Sequence, residues 1–251
     1  QVPVVQTGSK GLNLGYAKIK LDDKGKPSFT YRLIPVNSRL DNRIDPAFSS
    51  IIDDYAAEVK EKMNVKLGYA PYEIKRGTPE SPLGNISADG LIWAAKKFHN
   101  FDADVAVYNS GGVRANISKG DVTLGDVYAA FPFDNVLSML TITGKNLRNL
   151  MYEVPYNLYV NKEVKIVSSS SGWVDSITIN GQAIDDKKEY TVVTIDYISD
   201  NDAYTSILGN PIKREDSVEI IRDYFGEYFK HLAEQNNDQI TASTDGRITI
   251  K

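Results

Sequence analysis

The sequence has no cysteine and only two histidines, His99 and His231, in 251 residues. The first absence rules out disulfides, thiolate metal sites and a cysteine nucleophile, and it leaves either redox compartment open. The second bears on metal chemistry, because a dinuclear hydrolase site needs several imidazoles and carboxylates plus an open position for water. Two histidines so far apart do not supply it, and both read as surface or helix-end residues. Also missing is any uninterrupted apolar run of the ~18 residues that mark a membrane helix, so no membrane span is expected. Positive charge is not concentrated either. The 29 Lys and Arg are scattered among 33 Asp and Glu, for a net charge of -4, which argues against a nucleic-acid duplex as partner. The chain opens at Gln1 with no basic, apolar leader, which reads as a processed or truncated start.

What is present describes a globular chain. With 41% hydrophobic and 25% charged residues it has enough apolar mass for a core without staples, arranged as one large domain or one domain plus a short appendage. Up to about Ile34 apolar and polar residues alternate, as in residues 16–21 and 29–33, with residues 22–27 as the turn of a hairpin. From Pro46 to about Val65, the residues Phe48, Ile51, Ile52, Tyr55, Ala56 and Val59 share one helical stripe. Further helices are read at 87–98, 124–130, 144–153 and 215–235. Strands are read at 103–108, 136–142, 163–168, 174–179 and 190–195. The irregular order predicts a mixed α/β, α+β-like fold with a mixed sheet flanked by helices rather than a doubly wound parallel sheet.

Four segments could carry chemistry. Asn109-Ser-Gly-Gly-Val-Arg114 ends a strand. Glycines such as Gly111 and Gly112 let backbone approach an anion, and Arg114 offers a planar fork to phosphate or carboxylate; the plain alternative is a tight turn with a solvated arginine. Phe131-Pro-Phe-Asp-Asn135 could hold a ring rigidly for stacking, with Asn135 bonding a ligand edge. The alternative puts both rings in the core, since residues two apart on an extended segment face the same side. Residues 196–204 gather three carboxylates, an amide and two phenols in what reads as a loop after a strand, open to a sugar or simply solvated. Residues 80–89 read as a helix entry capped by Asn85 or Ser87. No combination of nucleophile, base and orienting group is visible, and Ser110 lacks the frame of a nucleophile elbow.

Taken in order, these segments are similar to the C-terminal domain of the 5'-nucleotidase and UDP-sugar hydrolase family over roughly residues 65–250. Residues 80–89 resemble the family's entry motif with its Gly-Asn and following Asp. Residues 109–114 resemble its Asn-Gly-Gly-Gly-x-Arg, and residues 120–123 with 131–135 the segment ending in Pro-Phe-x-Asn. Leu140-Thr-Ile-Thr-Gly144 and Asp245-Gly-Arg-Ile248 fall where the family has similar strands. Residues 4–15 look like the last strands of the family's metallophosphatase domain. The resemblance implies three parts: a strand segment over 1–40, a connecting helix over 41–64 and the recognition domain over 65–251. It also implies a nucleotide or nucleoside as ligand, with Arg114 on phosphate or ribose, Asn109 on ribose or base, Phe133 and Asn135 on the base, Tyr197 as the second ring and Asp202 on the ribose. Arg76 stands near, though displaced from, a further family arginine. Two departures stand out. The Gly-Gly-Asp of the family's last loop is here Asn201 before Asp202, in a loop one residue shorter. The Asp-x-His, Asn-His and His-x-His elements of the metal domain are missing. The expectation is therefore no cofactor in this chain, a divalent metal pair only in a separately produced metallophosphatase partner, and an extracytoplasmic, periplasmic location. The competing expectation is a stand-alone small-molecule binding module that has lost hydrolase function.

Overall fold

The computed structural model describes residues 2–9, 11–43 and 45–251, with side chains for all but 41–43 and 58. The chain divides into two compact units, Gln1–Val59 and Lys60–Lys251. In the first, β1 (Asn13–Leu21) and β2 (Pro27–Pro35) pair antiparallel along their whole length. The turn between them is set by Asp22, whose carboxylate accepts the Lys24 and Lys26 amides at 2.9 and 2.8 Å while Gly25 takes a φ of 74°. Residues 2–8 have no regular structure, so the strand expected there starts only at Asn13. Helix α1 (Pro46–Met63) begins where the Asp45 side chain accepts from the Ala47 amide at 2.9 Å. Its stripe of Phe48, Ile51, Ile52, Tyr55 and Val59 is more than half exposed.

The second unit is a mixed α/β fold. Its elements run β3 (Lys66–Ala70), α2 (Pro82–His99), β4 (Val105–Asn109), β5 (Gly120–Thr123), α3 (Leu124–Ala130), β6 (Val136–Thr143), α4 (Gly144–Met151), α5 (Val154–Asn157), β7 (Leu158–Val160), β8 (Val164–Ser168), β9 (Val174–Ile179), β10 (Gln182–Ala183), β11 (Glu189–Ile195), α6 (Asp196–Asp200), α7 (Asp202–Leu208), β12 (Lys213–Ile220), α8 (Ile221–Gln235) and β13 (Ile248–Ile250). The main sheet has the order β12-β6-β11-β4-β7, with only β11 and β4 parallel. A second sheet, β10-β9-β8-β13, and the pair β3-β5 complete it.

Strand β4 is buried on both faces through Val105, Ala106, Val107 and Tyr108, and α2 and α8 lie against its side of the core. Helix α2 is started by Ser81, whose hydroxyl accepts the Gly84 amide at 3.1 Å, with Pro82 in the first turn, and is stopped by Asn100 in the left-handed region at φ 51°. The expected caps Asn85 and Ser87 are inside the helix. Ser87 bonds back to the Leu83 carbonyl at 2.7 Å, and Asn85 reaches out to Glu80 and the Ser243 carbonyl. Gly84 has no room for a side chain, since a Cβ there would lie 2.4 Å from the ring of Tyr159, which is itself pinned by its bond to the Gly77 carbonyl at 2.8 Å.

Two segments depart from the sequence reading. Residues 215–220, expected as the start of a helix over 215–235, belong instead to β12. Its run of charged residues favours helix locally, but pairing with β6 wins, and the charges suit the exposed edge of a sheet. Residues 196–204, expected as a loop, form two short helices, because Asn201 caps the second by accepting the Ala203 amide at 2.9 Å.

The family-like entry motif and the Asp245-Gly-Arg segment meet in a clamp between α2 and β13. The Arg247 guanidinium, 4% exposed, grips both Asp89 oxygens at 2.8 and 2.7 Å, adds Asp245 at 3.1 Å, and donates to the Val160 carbonyl at 2.9 Å. Glu80 accepts from the Asn85 side chain and the Asp245 and Ile248 amides. These residues hold the C-terminal strand to the helix.

Candidate functional site

The register of the main sheet brings the expected ligand residues to one end. Strands β4 and β11 run parallel, so Asn109 and Ile195 finish on the same side, and β6, antiparallel to β11, starts there with Leu137 opposite Ile195. The segments 109–114, 131–135 and 196–197 therefore emerge together, beyond the carboxyl ends of the two parallel strands, where open α/β sheets present their ligand crevices.

The first segment forms a turn of 3-10 helix over Ser110–Gly112. Gly112 is required there: a Cβ would lie 2.5 Å from the Tyr108 hydroxyl beneath it. Gly111 has room, so its absence of a side chain keeps the surface open rather than relieving a clash. The amides of Val113 and Arg114 are already bonded, to the Ser110 and Ala130 carbonyls at 3.2 and 2.8 Å, whereas the Arg114 side chain is exposed. Its guanidinium lies 5.1 Å from the centroid of the Phe133 ring, a cation–π contact. Arg76 joins from the segment before α2, donating to the Val113 carbonyl at 2.9 Å while its amide donates to Asn116 at 3.1 Å. The displaced arginine of the sequence reading thus sits directly against the Asn109 turn. Beneath the turn two buried oxygens, Asn109 Oδ1 and Tyr108 Oη, have no partner within the protein. Burial pushes the Tyr108 phenol up, so it stays a neutral hydroxyl.

Phe131 and Phe133 separate. Phe131 is 1% exposed and packs on Phe225 at 4.2 Å, whereas Phe133 is 39% exposed. The expectation that both face one side fails because Phe131 caps the end of α3, its amide bonded to the Val127 carbonyl, while Phe133 lies in a bend before β6 begins at Val136. Asn135 donates to Asp196 at 2.7 Å, and the same carboxylate oxygen accepts the Tyr197 amide at 2.8 Å and the Val136 amide at 3.3 Å. Asp196 is therefore a latch between the segment that carries Phe133 and the one that carries Tyr197. Tyr197 is 46% exposed, with its ring set edge-on to Tyr204 at 6.5 Å. Asp202 is exposed in the first turn of α7 and takes no side-chain hydrogen bond to the others. In sequence the latch role of Asp196 is hidden, since an Asp closing a strand is an ordinary turn residue; its only signal is the position directly before the expected ring.

Arg76 and Phe133 thus meet the turn that carries Arg114, Asp196 joins Asn135 to Tyr197, and Asn109 is brought to the same end by the sheet alone. The face they form is open, and the larger cavities lie elsewhere, such as one of ≈ 570 Å³ bounded by Trp93, Tyr228 and His231. Among the described residues no group of three or more His, Cys, Asp or Glu side chains is placed to hold a metal ion. No helix among the described residues is long and apolar enough to cross a membrane.

Comparison with known proteins bears on the family and the fold. Residues 62–208 fit the family described as 5'-nucleotidase, C-terminal domain. The trifunctional nucleotide phosphoesterase protein YfkN of Bacillus subtilis (strain 168) is 26% identical over 98% of this chain and 18% of its own length. Protein UshA of Yersinia enterocolitica is 25% identical over 77% of this chain and 39% of its own. The chain therefore spans well under half of the curated relatives it matches. In fold it is similar to a 5'-nucleotidase precursor from Thermus thermophilus, with a TM-score of 0.73 over 96% of this chain and 50% of that one at 22% identity. With a family match over more than half its residues and the same architecture throughout, the chain belongs to the 5'-nucleotidase C-terminal domain family.

Proposed function

We propose that this chain is the nucleotide- or nucleoside-recognition part of a 5'-nucleotidase, inactive by itself and completed by a metallophosphatase domain that carries the divalent metal pair. The observation that carries the reading is the Asp196 latch, which ties the exposed Phe133 and Tyr197 segments to one end of the sheet beside Arg114 and Arg76. Two rings held at a shared edge offer faces to a purine or pyrimidine. Stacking of this kind is worth ~1–3 kcal/mol per base, which for an open face gives micromolar or weaker affinity. Arg114 would meet the phosphate or ribose, Asn109 the ribose or base, and the free carbonyl of the Asn135 side chain the base edge. Asp202, at an exposed helix start, would reach the ribose only from the rim. Hydrolysis of the phosphomonoester, its place in nucleotide catabolism and an extracytoplasmic, periplasmic location are parts of the same proposal.

The test is release of inorganic phosphate from AMP by the purified chain with divalent metal added. No turnover is expected. Turnover that co-purifies with the chain and is lost in a variant of one of its own carboxylates would contradict the reading.

A further inference from the structure

The tip of the β8–β9 hairpin, residues 168–173, reads Ser-Ser-Ser-Ser-Gly-Trp and displays Trp173 with 78% of its surface exposed. Two more rings stand beside it, Tyr152 and Tyr156, 43% and 52% exposed. Together with Ser171, Gly172 and Val174 they bound a cavity of ≈ 460 Å³.

The arrangement is built rather than incidental. Gly172 adopts a φ of 89°, and a Cβ there would lie 1.8 Å from the Tyr156 hydroxyl, so the close approach of tyrosine to turn exists only with glycine. The Tyr156 hydroxyl donates to the Gly172 carbonyl at 3.0 Å, which fixes the ring. The turn is braced from inside. The Ser169 amide donates to the Trp173 carbonyl at 2.7 Å, the Gly172 amide to the Ser169 carbonyl at 2.9 Å, and the Trp173 amide to the Ser169 hydroxyl at 3.2 Å. The Ser169 and Ser171 hydroxyls bond each other at 2.8 Å.

The chemistry of the lining selects the ligand. It has flat apolar faces and hydroxyls, and none of its residues is charged. A nucleotide would bring phosphate charge to a surface without a cation, an unfavourable exchange. A pyranose ring has the complementary character, an apolar C–H face to lie on indole or phenol and equatorial hydroxyls for Ser171 and Tyr152. We propose that this face is a binding site for a neutral saccharide. It does not rest on the nucleotide reading, although the two faces are neighbours, since Tyr156 stands two residues before Leu158, the β7 partner of Asn109.

The test uses the full chain and saccharides that carry no nucleotide. Trp93 and Trp173 are the chain's two tryptophans, so Trp93→Phe leaves Trp173 as sole indole reporter, and wild-type calorimetry covers the case that this variant folds poorly. Titration with maltotriose and with triacetylchitotriose should give a saturable change in Trp173 emission for at least one of them. Its affinity, measured by calorimetry because the reporter itself is removed in one variant, should fall about tenfold or more, the equivalent of ~1.4 kcal/mol, in Trp173→Ala and in Gly172→Ala. No response to either saccharide up to about 10 mM, past the millimolar range of a shallow site, would overturn the proposal, as would undiminished binding by Trp173→Ala. A response to AMP alone would also overturn it and assign the platform to the nucleotide face; AMP binding elsewhere on the same protein would leave the nucleotide reading standing by itself.

Discussion

Replacing Arg247 with alanine isolates the physical role of the clamp between α2 and the C-terminal strand. The guanidinium is 4% exposed and makes two short bonds to Asp89, a further contact to Asp245 and one to the Val160 carbonyl. Its loss strands the Asp89 carboxylate, 25% exposed, without a counter-charge. Removing one partner of a buried pair costs about 3–5 kcal/mol. For a chain of this size, with ~2–4 °C per kcal/mol, that corresponds to a fall in Tm of roughly 6–20 °C. Arg247→Lys keeps the charge and loses the fork, and should fall between wild type and alanine. Both tryptophans belong to the second unit, so urea unfolding followed by tryptophan emission reports on the unit that contains the clamp. A second arm tests the cause. Burial already pushes the Asp89 carboxyl up against the pull of Arg247, and without the arginine it rises further. A group whose folded pKa is raised contributes stability as pH falls below it, so the deficit of Arg247→Ala should shrink between pH 7 and pH 5. A loss under about 1 kcal/mol at pH 7, or a deficit that grows on acidification, would refute the reasoning.

Glu80 gives the opposite pH signature. Burial pushes its carboxyl up, but the bonds it accepts from Asn85 and from the Asp245 and Ile248 amides prevail and hold it below the ordinary range. Its contribution is present above the unfolded value of about 4.3 and is lost as pH falls through the lower folded value. Glu80→Gln should therefore be less stable than wild type at pH 7 and converge with it on acidification below about pH 4, read from urea midpoints against pH. Gly84→Ala sets the helix preference for alanine, ~1 kcal/mol, against overpacking on the pinned Tyr159 ring, ~1–3 kcal/mol. At 2.4 Å the clash should win, and a raised Tm would show that the ring yields.

Much of the second unit was legible in sequence because its pattern and its packing agree. The apolar run at 103–108 became the doubly buried β4, and the alternation at 174–179 became β9. Where local preference and tertiary pairing disagree, sequence reading failed. Residues 213–220 carry helix-favouring charges yet pair with β6, and residues 196–204 look like an acidic loop until Asn201 is seen to cap a helix. The site was legible as residue types but not as connections. Nothing in the one-dimensional pattern shows that Asp196 joins Asn135 to Tyr197, or that Arg76 reaches the Val113 carbonyl across 37 residues. The family-like motifs at 80–89 and 245–248 were visible as motifs, but only the fold shows that their work in the clamp is structural.

The most direct test of the central claim is calorimetric titration of the chain with AMP in buffer free of divalent metal, beside Arg114→Ala and Phe133→Ala. Saturable binding at micromolar to millimolar AMP, weakened about tenfold or more in each variant, is the result expected of a face on which the cation and the ring both meet the nucleotide. Binding of equal strength in wild type and both variants would contradict it.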